Sequence, residues 1–453
     1  MCLDFLVTLF EQHVDAVALI WNDQSYSYQW LLDRVLYWLD RLSQEKILSG
    51  TIVVLYADFS PNSVALFLAL IRHQCIIVPL AISTVAVDKQ VALAQGEVMI
   101  SIDSVDQVQV DHLSISAKHD LYDQLRQVRH PGLVLFSSGS TGQVKAIVHD
   151  LALLVEKKLI KRRSLRTVLF LLYDHIGGIN TMLYVLSNVG CMVCLRNRSP
   201  DKVLRAIEKY HIELLPTSPT FINLILLSEA YKRYDLRSLK VITYGTEPML
   251  ESTLVRCQKL FPHVKLQQTY GLSEVGILRS KSKNSDSVWL KVGGDGFQTR
   301  IVNNMLQIKA YSAMLGYLNA PSPFTEEGWL ETGDLVESDG DYIRILGRQS
   351  EIINVGGEKV YPVEVENIIF SFDNVADVIV YGEKNLLVGN IVCAHVCLRQ
   401  SEDKRAFIMR LKKFCQDKLQ DYKIPIKVFI SDKQLYTNRF KKDRGRYIQS
   451  CTK

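Results

Sequence analysis

"LVLFSSGSTGQVKAIVHD", residues Leu133 to Asp150, is an apolar run that turns abruptly into hydroxyl and glycine residues and then meets a lysine. Leu133, Val134, Leu135 and Phe136 read as a buried strand, and an apolar pattern resumes from Ala146 to Val155, so "SSGSTGQVK" bridges two regular elements. Gly139 and Gly142 allow close approach to the backbone, Ser137, Ser138, Ser140 and Thr141 supply hydroxyl donors, and Lys145 supplies a charge. That composition suits a phosphate. The spacing is not that of the P-loop G-x-x-x-x-G-K-[ST], because the lysine comes after two further residues and Ala146 follows it. A flexible surface turn has the same composition, so the rest of the chain decides between the two.

The chain of 453 residues is long enough for two or three folding units. Hydrophobic residues at 48% and charged residues at 22%, without low-complexity tracts, describe a globular protein. A net charge of only +5 gives no basic excess of the kind that binds nucleic acid. The start "MCLDFLVTLFEQHVDAV" lacks a basic n-region and carries Asp4, which argues against a secretory signal. The longest apolar stretches are interrupted by Arg72 and His73, and by Asp174, His175 and two glycines, so neither reads as a transmembrane segment. Nine scattered cysteines, an odd number, fit reduced thiols in a cytoplasmic protein. The pairs Cys191/Cys194 and Cys393/Cys397 lie in strand-like runs without the partners of a zinc site.

Strand-like runs alternate with helical ones: "GTIVVLYAD", "SVALFLALIRH" and "CIIVPLAI", then "RTVLFLLYD", "CMVCLRN", "IELLPTSP" and "LKVITYG". The alternation predicts an α/β architecture with mainly parallel sheets. From about Trp289 the strands shorten ("WLKVGG", "MLQIKA", "YIRILG"), predicting a small β-rich section. After Arg348 come a helical "VEVENIIFSF", the strands "VADVIVYG" and "NIVCAHVCL", a charged helix from Glu402 to Gln420 and the strand "IKVFIS". These form a compact α+β unit, with the boundary placed between Arg348 and Glu351: residues 1–348 make a large N-terminal domain of several subdomains, and 349–453 a small mobile one.

Four further stretches favour nucleotide chemistry. "VITYGTEPM" ends a strand in Gly245-Thr246-Glu247, where α/β folds bind ligands. "QQTYGLSEVG" brings Tyr270, Gly271, Ser273 and Glu274 together, and "GWLETGDLVE" puts Asp334 after a Thr-Gly turn. "GRQSEIINVGGEKVYPVEVE" follows, beginning at Gly347. In this order, "SSGSTGQVK", "YGTEP", "YGLSE", "TGDL" and "GRQSEIINVGGEKVYPVEVE" closely resemble the AMP-forming adenylate-forming superfamily of acyl-CoA synthetases, acyl carrier protein ligases and nonribosomal peptide synthetase adenylation domains. The resemblance runs from about Leu133 to Arg444.

It implies two half-reactions. A carboxylate and MgATP give acyl-AMP and pyrophosphate; then a phosphopantetheine thiol, of CoA or of a holo-carrier protein, takes the acyl group. It implies that Ser137 to Gly142 and Lys145 cradle phosphates, and that Glu274 holds Mg²⁺. Gly245, Thr246 and Glu247 line the adenine side with Tyr270 stacking, Ser273 meets the AMP phosphate, and Asp334 and Arg348 take the ribose hydroxyls. A catalytic lysine is expected near the C-terminus in a P-x-T-x-x-G-K-x-x-R pattern; "QLYTNRFKKDRGRY" offers Thr437, Lys441 and Arg444 at matching offsets, with Phe440 in place of the glycine. Lys441 is the candidate over Lys442. Gly356 and Gly357 fit a pantetheine tunnel. Val144 and Ala146 replace a usual proline and glycine, and Ser350 stands where Asp or Lys is common at the hinge.

For the acid, "LLYDHIGGINTML" aligned on His-Ile-Gly-Gly puts His175, with Gly177 and Gly178, beside the substrate, together with Gly245 and Gly271. This favours an uncharged acyl chain, a fatty or aryl acid. Alignment on Tyr173-Asp174 instead gives an amino-acid adenylation enzyme loading a peptidyl carrier protein, Asp174 pairing with the ammonium. A non-catalytic nucleotide-binding relative is the third reading; Lys145, Glu274, Asp334, Arg348 and Lys441 together speak against it.

Overall fold

"SVALFLALIRH" is apolar on every side, the mark of a helix with no solvent face, and the helix Pro61–Arg72 is buried along all but its last residue. Ser60 caps it in a capping box and Pro61 sets its first turn. It lies in a core that takes side chains from two sheets, Leu19 and Met192 on one and Val53, Leu55 and Ile77 on the other. The computed structural model describes residues 3–138, 143–294, 296–431 and 434–450, except the side chains of 138 and 448–450.

The first sheet runs in the order Lys265–Gln268, Val241–Tyr244, Leu214–Thr217, Arg166–Val168, Cys191–Cys194, Val17–Trp21, Gln24–Ser27. All neighbours are parallel except the last pair, a hairpin. In the second sheet four central strands, Gly132–Ser138, Ile76–Leu80, Ile52–Tyr56 and Val98–Ile102, are parallel. Antiparallel strands close both edges: Val108–His112 on one, Val144–Asp150 and Gly316–Tyr317 on the other. The sheets are therefore mixed, parallel inside and antiparallel at three of their four edges. The run "RTVLFLLYD" is a strand only as far as Val168.

The predicted β-rich section is a six-stranded antiparallel sheet, from Arg279–Ser282 through Tyr342–Arg348 to Phe297–Val302. The chain then enters the smaller C-terminal domain, whose five-stranded sheet carries the helix Pro362–Phe370 and the helix Lys404–Gln416 over a core of Val365, Ile369, Val378, Val380 and Phe407. The charged helix is shorter than Glu402 to Gln420, because Asp403 caps it by accepting from the Ala406 N–H. Among the described residues no helix is long and apolar enough to cross a membrane, and no disulfide joins any of the seven described cysteines.

Candidate active site

The hydroxyl-rich stretch joins two antiparallel strands, Ser137 pairing with Lys145 and Ser138 with Val144. Gly139, Ser140, Thr141, Gly142 and the Ser138 side chain lie outside the described residues. Lys145, on the returning strand, places its ammonium 4.9 Å from the ring centre of Tyr317. The Tyr317 hydroxyl donates to Glu274 Oε1 at 2.8 Å, and burial, then the Glu274 charge, push that phenol up. Lys145, Tyr317 and Glu274 thus form one cluster beside the hairpin. Among the described residues no group of three or more His, Cys, Asp or Glu could cage a metal. A single carboxylate such as Glu274 suits Mg²⁺, which keeps waters and takes further ligands from nucleotide phosphates.

Beneath this cluster, the fully buried His149 ring donates from Nε2 to the Ser273 carbonyl at 2.6 Å, while Nδ1 has no partner among the described residues. Burial, with the Lys157 charge adding to it, lowers His149 from near 6.5 to about 4. A folded-state value below the unfolded one means the unfolded chain binds the proton first as pH falls. Stability is therefore retained above about 6.5 and lost between 6.5 and 4, by about 3 kcal/mol. Urea unfolding of the parent and of His149→Gln between pH 7 and 4 should show that fall in the parent and flatten it in the variant.

The strand Val241–Tyr244 ends at Gly245, where an added Cβ would stand 2.7 Å from the Thr269 carbonyl oxygen, so only glycine lets the two strand ends lie this close. Thr246 then takes a left-handed conformation, φ 75°. The Glu247 carboxylate accepts from the Thr220 N–H at 2.8 Å and from the Lys442 N–H at 3.0 Å. The Tyr270 ring is 6% exposed and belongs to the core of the antiparallel sheet. Its hydroxyl donates to Asp334 Oδ2 at 2.6 Å, and Arg348 Nε lies 3.3 Å from Asp334 Oδ1 across the paired strands. Burial raises the Asp334 carboxyl, against the pull of Arg348.

On the acid side, His175 caps the helix Ile176–Leu186, its Nδ1 accepting from the Gly177 N–H at 3.0 Å. Burial, then the charges of Lys441 and Arg439, hold its ring well below the ordinary imidazole range, so it is neutral. A Cβ on Gly178 would fall 2.0 Å from the Leu172 carbonyl oxygen, and one on Gly271 2.7 Å from that of Gly276. Asp174, 7% exposed, is paired with Arg439 at 2.6 Å and accepts from Thr84 at 3.3 Å.

Residues 434–444 reach from the small domain to the large one, where Ser218, Asp174 and Glu247 hold Phe440, Arg439 and Lys442. Lys441 lies among Glu247, Arg439 and Arg348; burial lowers its ammonium below the usual lysine range, with Glu247 opposing. Lys442 turns the other way, donating from Nζ to the Val378 carbonyl at 2.7 Å and to Glu366 at 3.3 Å within the small domain. Arg444 donates to both oxygens of Glu366, at 2.8 and 2.7 Å. Gly356 and Gly357 stand apart: with φ of 58° and 96° they form the turn between Ile353–Val355 and Glu358–Val360. Two left-handed residues in sequence are what a tight hairpin turn needs, and a Cβ there would meet open space.

Sequence reasoning missed Tyr317, which no motif marks, and Glu366, whose place in "YPVEVENIIF" reads as one charge on a helix face. The Asp174–Arg439 pair joins residues 265 positions apart.

A model of the AMP-binding enzyme family matches residues 8–294, and one of the AMP-binding enzyme C-terminal domain matches residues 364–442. The chain is 31% identical to 4-coumarate–CoA ligase-like 9 of Arabidopsis thaliana over 54% of its own length and 49% of that protein. It is 26% identical to 2-succinylbenzoate–CoA ligase of Bacillus subtilis over 73% of its length and 71% of the relative. The chain thus spans about half the length of the 4-coumarate–CoA ligase relatives it matches. The fold is shared with the anthranilate CoA ligase AuaEII in complex with anthranoyl-AMP, with a TM-score of 0.84 at 18% identity over 99% of this chain and 97% of that one.

Proposed function

Because the chain belongs to the AMP-binding enzyme family, we propose that it is an AMP-forming acid–thiol ligase acting on a fatty or aryl acid. The acid carboxylate attacks the α-phosphorus of ATP, the bond to the bridging oxygen breaks, and pyrophosphate leaves. The thiol sulfur of CoA or a carrier protein then attacks the acyl carbon, AMP leaves, and the thiol proton passes to solvent. Both anions of the first step repel each other, so the barrier is lowered chiefly by placing cations and donors around them. Lys145 and the hydroxyl-rich loop serve the β- and γ-phosphates, Glu274 would hold Mg²⁺, which neutralises phosphate charge, and Asp334 with Arg348 serves the ribose. Ser273 faces the α-phosphate, and Gly356 and Gly357 serve the pantetheine arm. Residues 1–348 bind nucleotide and acid; residues 349–453 bring Lys441 and rotate about Gln349 to Glu351.

The observation that supports this reading is the seating of the lysine-bearing loop of the small domain on the large one, the Lys442 N–H donating to Glu247, Arg439 to Asp174 and Ser218 to the Phe440 carbonyl. The acyl or aryl choice rests on Asp174, whose charge is met by Arg439, so no ammonium is called for there. The relatives' names, ligases of 4-coumarate and 2-succinylbenzoate, support aryl acids and CoA. Incubation of the purified chain with ATP, Mg²⁺ and panels of fatty, aryl and amino acids should release pyrophosphate and AMP with an acid of the first two panels. Release of ADP and phosphate would sink the assignment.

A further inference from the structure

We propose that Phe440 is a positioning residue for Lys441, an aromatic pin that seats the lysine-bearing loop in the large domain for the first half-reaction only. The backbone of Phe440 is left-handed, φ 53°, a conformation that glycine adopts freely and that a bulky side chain resists. Contacts must compensate, and they come from three separate segments of the large domain. The ring lies 5.4 Å from that of Phe170 and 5.1 Å from that of Phe221, edge-on to the second, and the Arg198 guanidinium sits 5.6 Å over it. Its carbonyl accepts from the Ser218 hydroxyl at 2.6 Å.

The flanking residues are tied down as well, Arg439 to Asp174 at 2.6 Å and the Lys442 N–H to Glu247 at 3.0 Å. Lys441 is held on both sides, and the ring beside it packs against the apolar core of the large domain, with Tyr436 of its own loop stacked 6.1 Å from it. All of these contacts but the last join the small domain to the large one, so they are lost when the loop withdraws. The pin therefore favours the seated arrangement over the withdrawn one by the full worth of its contacts. The thiol step, which has no use for a seated Lys441, gains nothing from it.

This rests on the AMP-forming reading, and its test has one arm that does not. Phe440→Gly removes the ring while easing the backbone, so a loss of function cannot come from strain. Loss of aromatic contacts of this kind should slow pyrophosphate release about tenfold. KM for ATP should stay unchanged, thioester formation from synthetic acyl-adenylate and CoA should be no slower, and Phe440→Tyr should recover most of the rate. Independently of any acid or nucleotide, trypsin should cut the full chain at Arg439 or Lys441 about tenfold faster in Phe440→Gly than in the parent. Unchanged trypsin cleavage would overturn the pin even if no acid were ever activated, and so would equal slowing of both half-reactions. A parent that releases no pyrophosphate while the trypsin difference stands would remove the ligase reading and leave the pin.

Discussion

Replacing Lys441 with alanine should slow acyl-adenylate formation by about 10²–10³-fold, the usual cost of removing one well-placed charge from a reaction between anions. Thioester formation from supplied acyl-adenylate should change little. Burial lowers the Lys441 ammonium and the Glu247 charge opposes that fall. Lys442 is committed to Val378 and Glu366 inside the small domain. Lys442→Ala should therefore lower stability while sparing the ratio of the two rates. Separate rapid-quench measurement of AMP and thioester decides the matter: equal damage to both half-reactions by Lys441→Ala would make the residue structural.

Glu366→Ala should open the small domain by about 3–5 kcal/mol, because the deletion removes the nearest counter-charge of two buried cations and leaves only Asp377, 3.8 Å from Lys442, and Glu351, 3.7 Å from Arg444. Glu366 is 1% exposed, accepts from the Val380 N–H at 3.0 Å and carries both Arg444 and Lys442. Burial works to raise its carboxyl, yet Arg444 and Lys442 outweigh that and hold it below the ordinary carboxylate range. All five tryptophans precede this domain in the chain, so intrinsic fluorescence is a poor probe of it. Hydrogen exchange of a peptide covering Val375–Asn385 reads it directly, and should accelerate by at least about a hundredfold. Exchange within a few-fold of the parent would show that the cations find other partners.

How much of this was legible beforehand depends on the kind of signal. The buried helix Pro61–Arg72 and the strands on either side follow from apolar runs bounded by Ser60-Pro61 and Gln74, since capping chemistry and periodicity act locally. Strand direction does not: "LVLFSS" and "VKAIVHD" look alike whether parallel or antiparallel, and the antiparallel rims arise from tertiary pairing. Tyr270 offered an aromatic ring in a motif, and the structure assigns the ring to the core and the hydroxyl to Asp334. Its neighbour in that arrangement lies 64 positions away, beyond the reach of any local pattern. Gly356-Gly357 has a sufficient local cause in its turn, whereas Phe440 reads in sequence as a lost glycine and gains its meaning only from Phe170, Arg198 and Phe221.

Arg444 touches two elements with opposite duties: its Nη1 lies 3.7 Å from Glu351, in the short helical turn Gln349–Glu351, and its Nη2 is bound to Glu366 beneath the lysine loop. One guanidinium thereby connects the pivot to the arm that the pivot swings. Turning the pivot while the arm stayed behind would strain or break that connection, and retracting the arm alone would do the same. On the proposed rotation, departure of the lysine and turning of the domain are expected to occur together rather than in sequence.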